Sequence, residues 1–262
     1  YECYVESYEK AQCFLHDLEE ALREFDLPLN HKKTAILPLP IAVAEKWIHK
    51  LNSYLSITKD VMNYTDVNAY LDLAISLATE TGNSAVLNYA IKTLAGKNLT
   101  ANAKKLASQR IMHLSDIYPY LVQLMDDYVF KPFSVSADEI KVYSNALCSD
   151  SKASLNYEAI CYAVYFSLTY GFTLDNLNIE WVIERGDCVL LLMTWLYYLN
   201  LNYGNKRASD LRPLREEAKR LEAFDMDRYW LFCYEVNPMS NLKDEWKQLK
   251  KAGVSFVKGG VI

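Results

Sequence analysis

The stretch Asp66-Val-Asn-Ala-Tyr-Leu-Asp-Leu-Ala-Ile-Ser-Leu-Ala-Thr79 decides the fold class. Val67, Tyr70, Leu71, Ala74, Leu77 and Ala78 recur at intervals of three and four, so they share one face of a helix. The same pattern continues outward. Upstream, Ala42–Leu55 aligns Trp47, Ile48, Leu51 and Leu55. Downstream, Ser84–Leu94 aligns Val86, Leu87, Ala90, Ile91 and Leu94, with Gly82 and Gly96 as punctuation. Ala101–Leu114 follows, then Ile117–Phe130 with Pro119 in its first turn. Further helices are expected at 136–148, 154–171, 177–200, 207–223, 228–236 and 240–252, and no strand is expected after Ile41. The pairs near 66–94 and 101–130 start about 35 residues apart, with 136–170 as a third, a spacing used by helical-repeat solenoids. The expected fold is mainly α, an irregular HEAT-like array of stacked helix pairs, with an ordinary helical bundle as the alternative.

Composition agrees. The chain has 262 residues, 51% hydrophobic and 23% charged, enough apolar mass for a core. Only 8 Gly and 7 Pro argue against an all-β fold, whose many turns consume these residues. The net charge of −5 excludes nucleic-acid attraction by bulk charge and leaves it to local patches. The longest apolar run, Cys188–Leu199, is shorter than the roughly 20 residues that span a bilayer, and no signal peptide is evident. No membrane partner is expected. None of Cys3, Cys13, Cys148, Cys161, Cys188 and Cys233 stands in C-x-x-C spacing, and most lie in apolar stretches, as buried reduced thiols of a cytoplasmic protein do. His16, His31, His49 and His113 form no metal-ligand pair, so no metal site is expected.

Residues 1–40 differ from 41–262, and the two are read as separate domains. Glu2–Ser7 alternates like a strand, and Ser7 is a suitable N-cap. Tyr8–Phe25 then carries Ala11, Phe14, Leu15, Leu18, Ala21, Leu22 and Phe25 on one helical face. Asp26 and Pro28 end it, and Leu27–Asn30 and Thr34–Pro38 read as short strands around the turn His31-Lys-Lys33. The opening Tyr1-Glu-Cys-Tyr-Val-Glu-Ser7 reads as mid-strand, so a fragment or processed chain is expected.

The phrase Phe25-Asp-Leu-Pro-Leu-Asn-His-Lys-Lys-Thr34 resembles the segment that follows the catalytic turn of reverse transcriptases. There a strand and an amphipathic helix lead into Gly/Asp-Leu-x-Leu-Asn-x-x-Lys-Thr. Asp26 stands where Gly is usual. The helical remainder, with its ending Trp246-Lys-Gln-Leu-Lys-Lys-Ala-Gly-Val-Ser-Phe256, resembles the C-terminal region of bacterial abortive-infection and defence-associated reverse transcriptases. The resemblance implies that residues 1–40 are the remnant of a palm. The metal-binding aspartates, and the Mg2+ of the parent enzyme, would then lie upstream with the rest of the palm and the fingers. Residues 1–262 alone should bind no cofactor and should not polymerise. It also implies a template or single-stranded product as partner, with a homo-oligomer as a further one. Two alternatives stand beside it: a non-enzymatic helical-repeat scaffold that binds a protein, and a group II intron or retron relative, for which the helical part is too long to be a thumb alone.

The resemblance assigns Lys33 as general acid for the departing pyrophosphate, with Lys32 in its place if the register slips by one. Asn30 would fix the turn by a side-chain-to-backbone bond. Arg212, Arg215 and Lys219, and with them Arg220, fall on one helix face and are the candidate nucleic-acid contacts, with Tyr229-Trp230 nearby for stacking. Lys243, Lys247, Lys250 and Lys251 form a second such face, and Lys59 reads as an exposed lysine away from both. Asp126-Asp127 lacks flanking strands and reads as a solvated helix face, and Glu184-Arg-Gly-Asp187 as a polar break between helices. The stripes Tyr162–Phe166 and Leu190–Tyr198 read as core.

Overall fold

Helical periodicity dominates the chain, and helices dominate the computed structural model, which describes residues 2–39, 45–58 and 60–257. They form two compact units, Tyr1–Lys50 and Leu51–Ile262.

The first unit contains helix α1 (Tyr8–Arg23). Ser7 is extended, and its Oγ accepts from the Lys10 N–H at 3.3 Å. At the other end, the Leu27 N–H donates to Leu22 O and the Asp26 N–H to Arg23 O, both at 3.1 Å. This paired closure needs a left-handed residue, and Asp26 supplies it with φ of 55°. The strands expected at Glu2–Ser7, Leu27–Asn30 and Thr34–Pro38 are absent: none of these segments forms a strand among the described residues. A strand exists only through its ladder, and this unit supplies no second one. Tyr4, Phe14, Phe25, Leu27, Leu37 and Leu39 remain exposed.

Helix α2 (Lys46–Ile57) occupies the place expected for Ala42–Leu55, although 42–44 lie outside the described residues, as does Lys59. In the second unit, strand β1 (Val61–Met62) leads to α3 (Tyr64–Thr81) and α4 (Ala85–Ala95), and strand β2 (Asn98–Leu99) leads to α5 (Ala101–Ile117). The strands pair in parallel, Val61 opposite Asn98 and Met62 opposite Leu99. The helix-only expectation for this region is therefore corrected, since two residues are too few to show an alternating pattern. Asn63 caps α3 in a reciprocal capping box with Asp66, and Thr100 caps α5.

After α5 the single helix expected at Ile117–Phe130 is replaced by two unlike turns. Pro119–Leu124 is a 3-10 turn, and Asp126–Phe130 is a π-turn whose Asp126 carbonyl accepts from the Lys131 N–H. The next residue explains the wider turn. Pro132 has no N–H to offer the carbonyl four residues back, and its ring would crowd that carbonyl. A short helix α6 (Lys131–Phe133) ends on Ser134 in the left-handed region.

Then follow α7 (Ala137–Ser154), capped by Ser136 and Glu139, and α8 (Tyr157–Tyr170). The run expected at 177–200 is two helices, α9 (Ile179–Arg185) and α10 (Cys188–Leu201). Gly186, left-handed at φ of 63°, closes the first, and Asp187 caps the second. Glu184–Asp187 is thus the polar break its residues suggested. Helices α11 (Arg212–Phe224), α12 (Met226–Val236) and α13 (Asp244–Lys251) are the last among the described residues.

Helix α3 packs on α4 and α5, α7 on α8, α10 on α8 and α12, and α11 on α12 and α9. Trp195, Phe166, Tyr70 and Phe232 are among the large side chains sealed in this core. Phe130, from the π-turn, sits at its aromatic centre, with Phe166, Tyr143 and Tyr170 edge-on at 5.1, 5.9 and 6.0 Å.

Candidate functional site

The turn at 30–34 is built around Asn30, as expected. Its Oδ1 accepts from the Lys32 N–H at 3.2 Å, and its carbonyl accepts from the Lys33 N–H and the Thr34 hydroxyl, each at 2.9 Å. These bonds satisfy the backbone locally and leave Lys32 and Lys33 exposed side by side. Lys33 is therefore rooted in a hydrogen-bonded turn, and its ammonium group has no ion pair among the described residues.

The basic face of α11 is more occupied than its spacing suggests. Arg212 Nε lies 3.3 Å from Glu216 Oε1. Arg215 turns back on the preceding loop and donates to Lys206 O at 2.5 Å and Ala208 O at 3.1 Å. Arg220 forks onto the buried Glu217 at 2.6 and 2.8 Å. Lys219 is exposed and has no ion pair among the described residues. On the second basic face, Lys247 lies 3.3 Å from Asp244, and Lys250 is drawn inward to cap α12, donating to Asn237 O at 2.9 Å and to Tyr234 O. Burial lowers the Lys250 pKa from its ordinary value. Trp230 already has a partner: it stacks on Trp246, centroids 5.5 Å apart, and meets the edge of Phe256 at 5.0 Å.

Asp126 departs most from expectation. It is buried, at 6% exposure, and only Asp127 fits a solvated helix face. The π-turn carries one residue more than an α-turn, and this rotates Asp126 inward. Tyr170 and Tyr165 hydroxyls donate to its two oxygens at 2.6 and 2.9 Å, and Lys131 Nζ donates at 2.9 Å while also reaching Asp127 at 2.8 Å. Burial pushes the Asp126 carboxyl up, but the bonds from Tyr170, Lys131 and Tyr165 and the charge of Lys131 outweigh it, so its pKa falls. Burial, followed by the bond to Asp126, raises both phenols. A carboxylate held ionised and phenols held protonated are poor proton-transfer groups near neutral pH. The cluster instead ties α8 to the π-turn. Sequence periodicity missed it; Pro132, unfavourable inside an α-helix, is the signal that could have found it.

Among the described residues no group of three or more His, Cys, Asp or Glu could hold a metal ion. The Mg2+ implied by the resemblance thus finds no ligand set in them, Asp126 being taken up by tyrosines and a lysine. The six cysteines are free; against the expectation of a mostly buried set, only Cys148 and Cys233 are buried, Cys161 and Cys188 are half-buried, and Cys3 and Cys13 are exposed. No described helix is long and apolar enough to cross a membrane. No protein-family model, curated protein or solved structure matches the chain.

Proposed function

We propose that this chain is the C-terminal part of an RNA-directed DNA polymerase, a reverse transcriptase acting in bacterial antiviral defence. Residues 1–40 would belong to its palm, and the helical part would hold single-stranded template or product, or organise an oligomer. One observation carries the reading. Position 26, where the related motif has Gly, is left-handed at φ of 55°, the conformation for which Gly is the usual residue. A left-handed residue at this position agrees with the Gly of the motif, and Asp tolerates that region better than most. The Asn30-centred turn and the exposed Lys33 beyond it support the same reading.

Helix starts support the repeat-like arrangement. Helices α3, α5 and α7 begin at Tyr64, Ala101 and Ala137, each after a capping Asn, Thr or Ser. That near-constant interval of 37 and then 36 residues lies within the range of helical repeats.

The role of Lys33 follows from its chemistry. An ammonium beside the bond to pyrophosphate would stabilise or protonate the leaving group, and would matter most as charge develops there. Primer extension by the full-length parent enzyme tests this. Lys33→Ala should lower kcat by about 100-fold or more with KM for the nucleotide nearly unchanged. A larger loss in Lys32→Ala would shift the register by one, and full activity in both variants would remove the assignment.

A protein-binding scaffold is the second reading. It is favoured by the engagement of Arg212, Arg215 and Arg220 within the fold and by the net charge of −5. The two separate by salt: contact with about three phosphates of a single strand gives a logarithmic salt slope near −2. Arg212→Ala with Lys219→Ala should reduce that slope. A chain with no affinity for oligonucleotides at about 50 mM salt is the scaffold.

A further inference from the structure

A cleft of about 400 Å³ opens along α8 and the start of α10. Its volume lies within the range of small-molecule sites, roughly 300–1,000 Å³. Glu158, Tyr162 and Tyr165 line it from α8, and their spacing puts them on one helical face. Tyr157 joins them at the N-terminal end, and Asp187 and Met193 line the cleft from α10 and its cap. No Lys or Arg belongs to this lining.

The lining has two properties that are unusual together. It is rich in aromatic rings, and its only formal charges are two carboxylates without ion pairs among the described residues. Asp187 Oδ1 accepts one bond, from the Leu190 N–H at 2.9 Å. In the neighbouring cluster the Lys131 ammonium is shared between Asp126 and Asp127, and beyond Tyr157, Lys152 and Arg185 lie over the Trp181 ring, 5.3 and 5.7 Å from its centroid. The Tyr165 hydroxyl is tied to Asp126, which fixes this residue of the wall. Tyr157 is braced edge-on by Trp181 at 6.3 Å. The negative field reaches into the lining: the Cys161 thiol is pushed up to about 12, by burial first and then by Asp187 and Glu158.

Tyrosine faces attract cations through the ring quadrupole, and unpaired carboxylates add charge complementarity. An anion would meet two like charges, and a neutral apolar ligand would draw no attraction from either carboxylate. Between cations, a primary ammonium is compact and strongly hydrated, and a lining whose surface is mostly apolar replaces little of its water. A quaternary ammonium is diffuse and weakly hydrated, and suits rings and a thioether. We infer that the cleft between α8 and α10 binds a small quaternary ammonium compound, with Tyr162 and Tyr165 as its aromatic wall and Glu158 and Asp187 as its counter-charge. This inference does not rest on the polymerase reading.

Calorimetric titration of the full chain with choline tests it, alongside ethanolamine and 3,3-dimethyl-1-butanol, in which a carbon replaces the charged nitrogen. Choline should bind at low ionic strength, ethanolamine more weakly, and the neutral isostere not at all. Glu158→Gln should weaken choline by about threefold, and Tyr162→Leu by about fivefold, with unchanged melting of each variant. Absence of choline binding up to about 10 mM, an affinity too low for a specific site, would overturn the inference. So would equal binding of the isostere, tighter binding of ethanolamine, or an unaltered affinity in Glu158→Gln. The ligand comparison uses the unsubstituted chain and holds even if a variant fails to fold.

Discussion

Phe25 and Phe130 each lie near the end of a helical turn, yet Phe25 is 73% exposed and Phe130 1%. The contrast extends to their surroundings. In the unit ending at Lys50, Tyr4, Leu27, Leu37 and Leu39 are exposed, and on the apolar face of α1 Ala11 is buried, Leu15, Leu18 and Leu22 are half-buried and Phe14 is exposed. In the unit beginning at Leu51, a large set of such residues is sealed between α3, α4, α5 and their successors, although others, Tyr203 and Phe224 among them, stay exposed. Both regions carry a sound amphipathic pattern. The difference teaches that periodicity specifies which face of a helix is apolar, whereas burial needs a second layer to cover that face.

The comparison is most easily broken at its two phenylalanines. Phe130→Ala should cost about 4 kcal/mol, read as a lower urea midpoint, because it empties the aromatic centre. Phe25→Ala should cost less than about 0.5 kcal/mol, as exposed substitutions do. Equal losses would show that the first unit has a buried core of its own.

Asp126 comes next. Asp126→Asn should cost about 2 kcal/mol at pH 7, through the loss of hydrogen bonds to a charged, buried acceptor. The folded state lowers its pKa, so its contribution is complete above the ordinary carboxylate range and disappears as pH falls through the lowered folded value. The acid side of the stability profile should therefore be shallower in Asp126→Asn. A parallel profile would place the ionised carboxylate outside the stabilising network.

These effects also mark what the residues made legible. The helices of the second unit could be read from three- and four-residue spacing, although that spacing begins α3 at Asp66, two residues inside its start at Tyr64. Asp126 could not, because a 3.6-residue period is counted straight through a π-turn and puts the wrong residue outside. The strands expected in 2–39 failed for a different reason: alternation in Glu2–Ser7 is a local property, but a strand depends on a partner far away in sequence. In the turn at 30–34 every bond spans four residues or fewer, so Asn30 could be named from the sequence alone. On α11, spacing grouped Arg212, Arg215 and Lys219 correctly on one helix but could not show that Arg215 reaches back to Lys206 and Ala208.

Smaller effects sharpen the contrast. Arg110 donates to Asn68 Oδ1 and to Asp72 Oδ1, both at 2.7 Å, and so joins α5 to α3. Arg110→Ala should lower stability by about 1 kcal/mol, measured by urea unfolding. In the first unit, Asp26→Gly should instead raise the helicity or melting of α1 slightly, by roughly 0.5–1 kcal/mol, because Gly meets no steric penalty at that φ. A loss on Asp26→Gly would mean that the Asp side chain, not the backbone, holds the turn.

The pairing of β1 with β2 has a mechanical consequence. It closes α3 and α4 into a loop whose two ends are joined by the Val61–Asn98 and Met62–Leu99 pairing, with the Thr100 N–H donating to Met62 O at 3.0 Å. Tension on the chain before β1 and after β2 passes from strand to strand, and along the backbone the connection through α3 and α4 is bypassed. Because the strands are parallel, such a pull runs along them and strains their few hydrogen bonds together instead of one after another. This short ladder is then a fuse in the load path: it stays shut under small forces and gives way in one step, releasing the whole length of α3 and α4 at once.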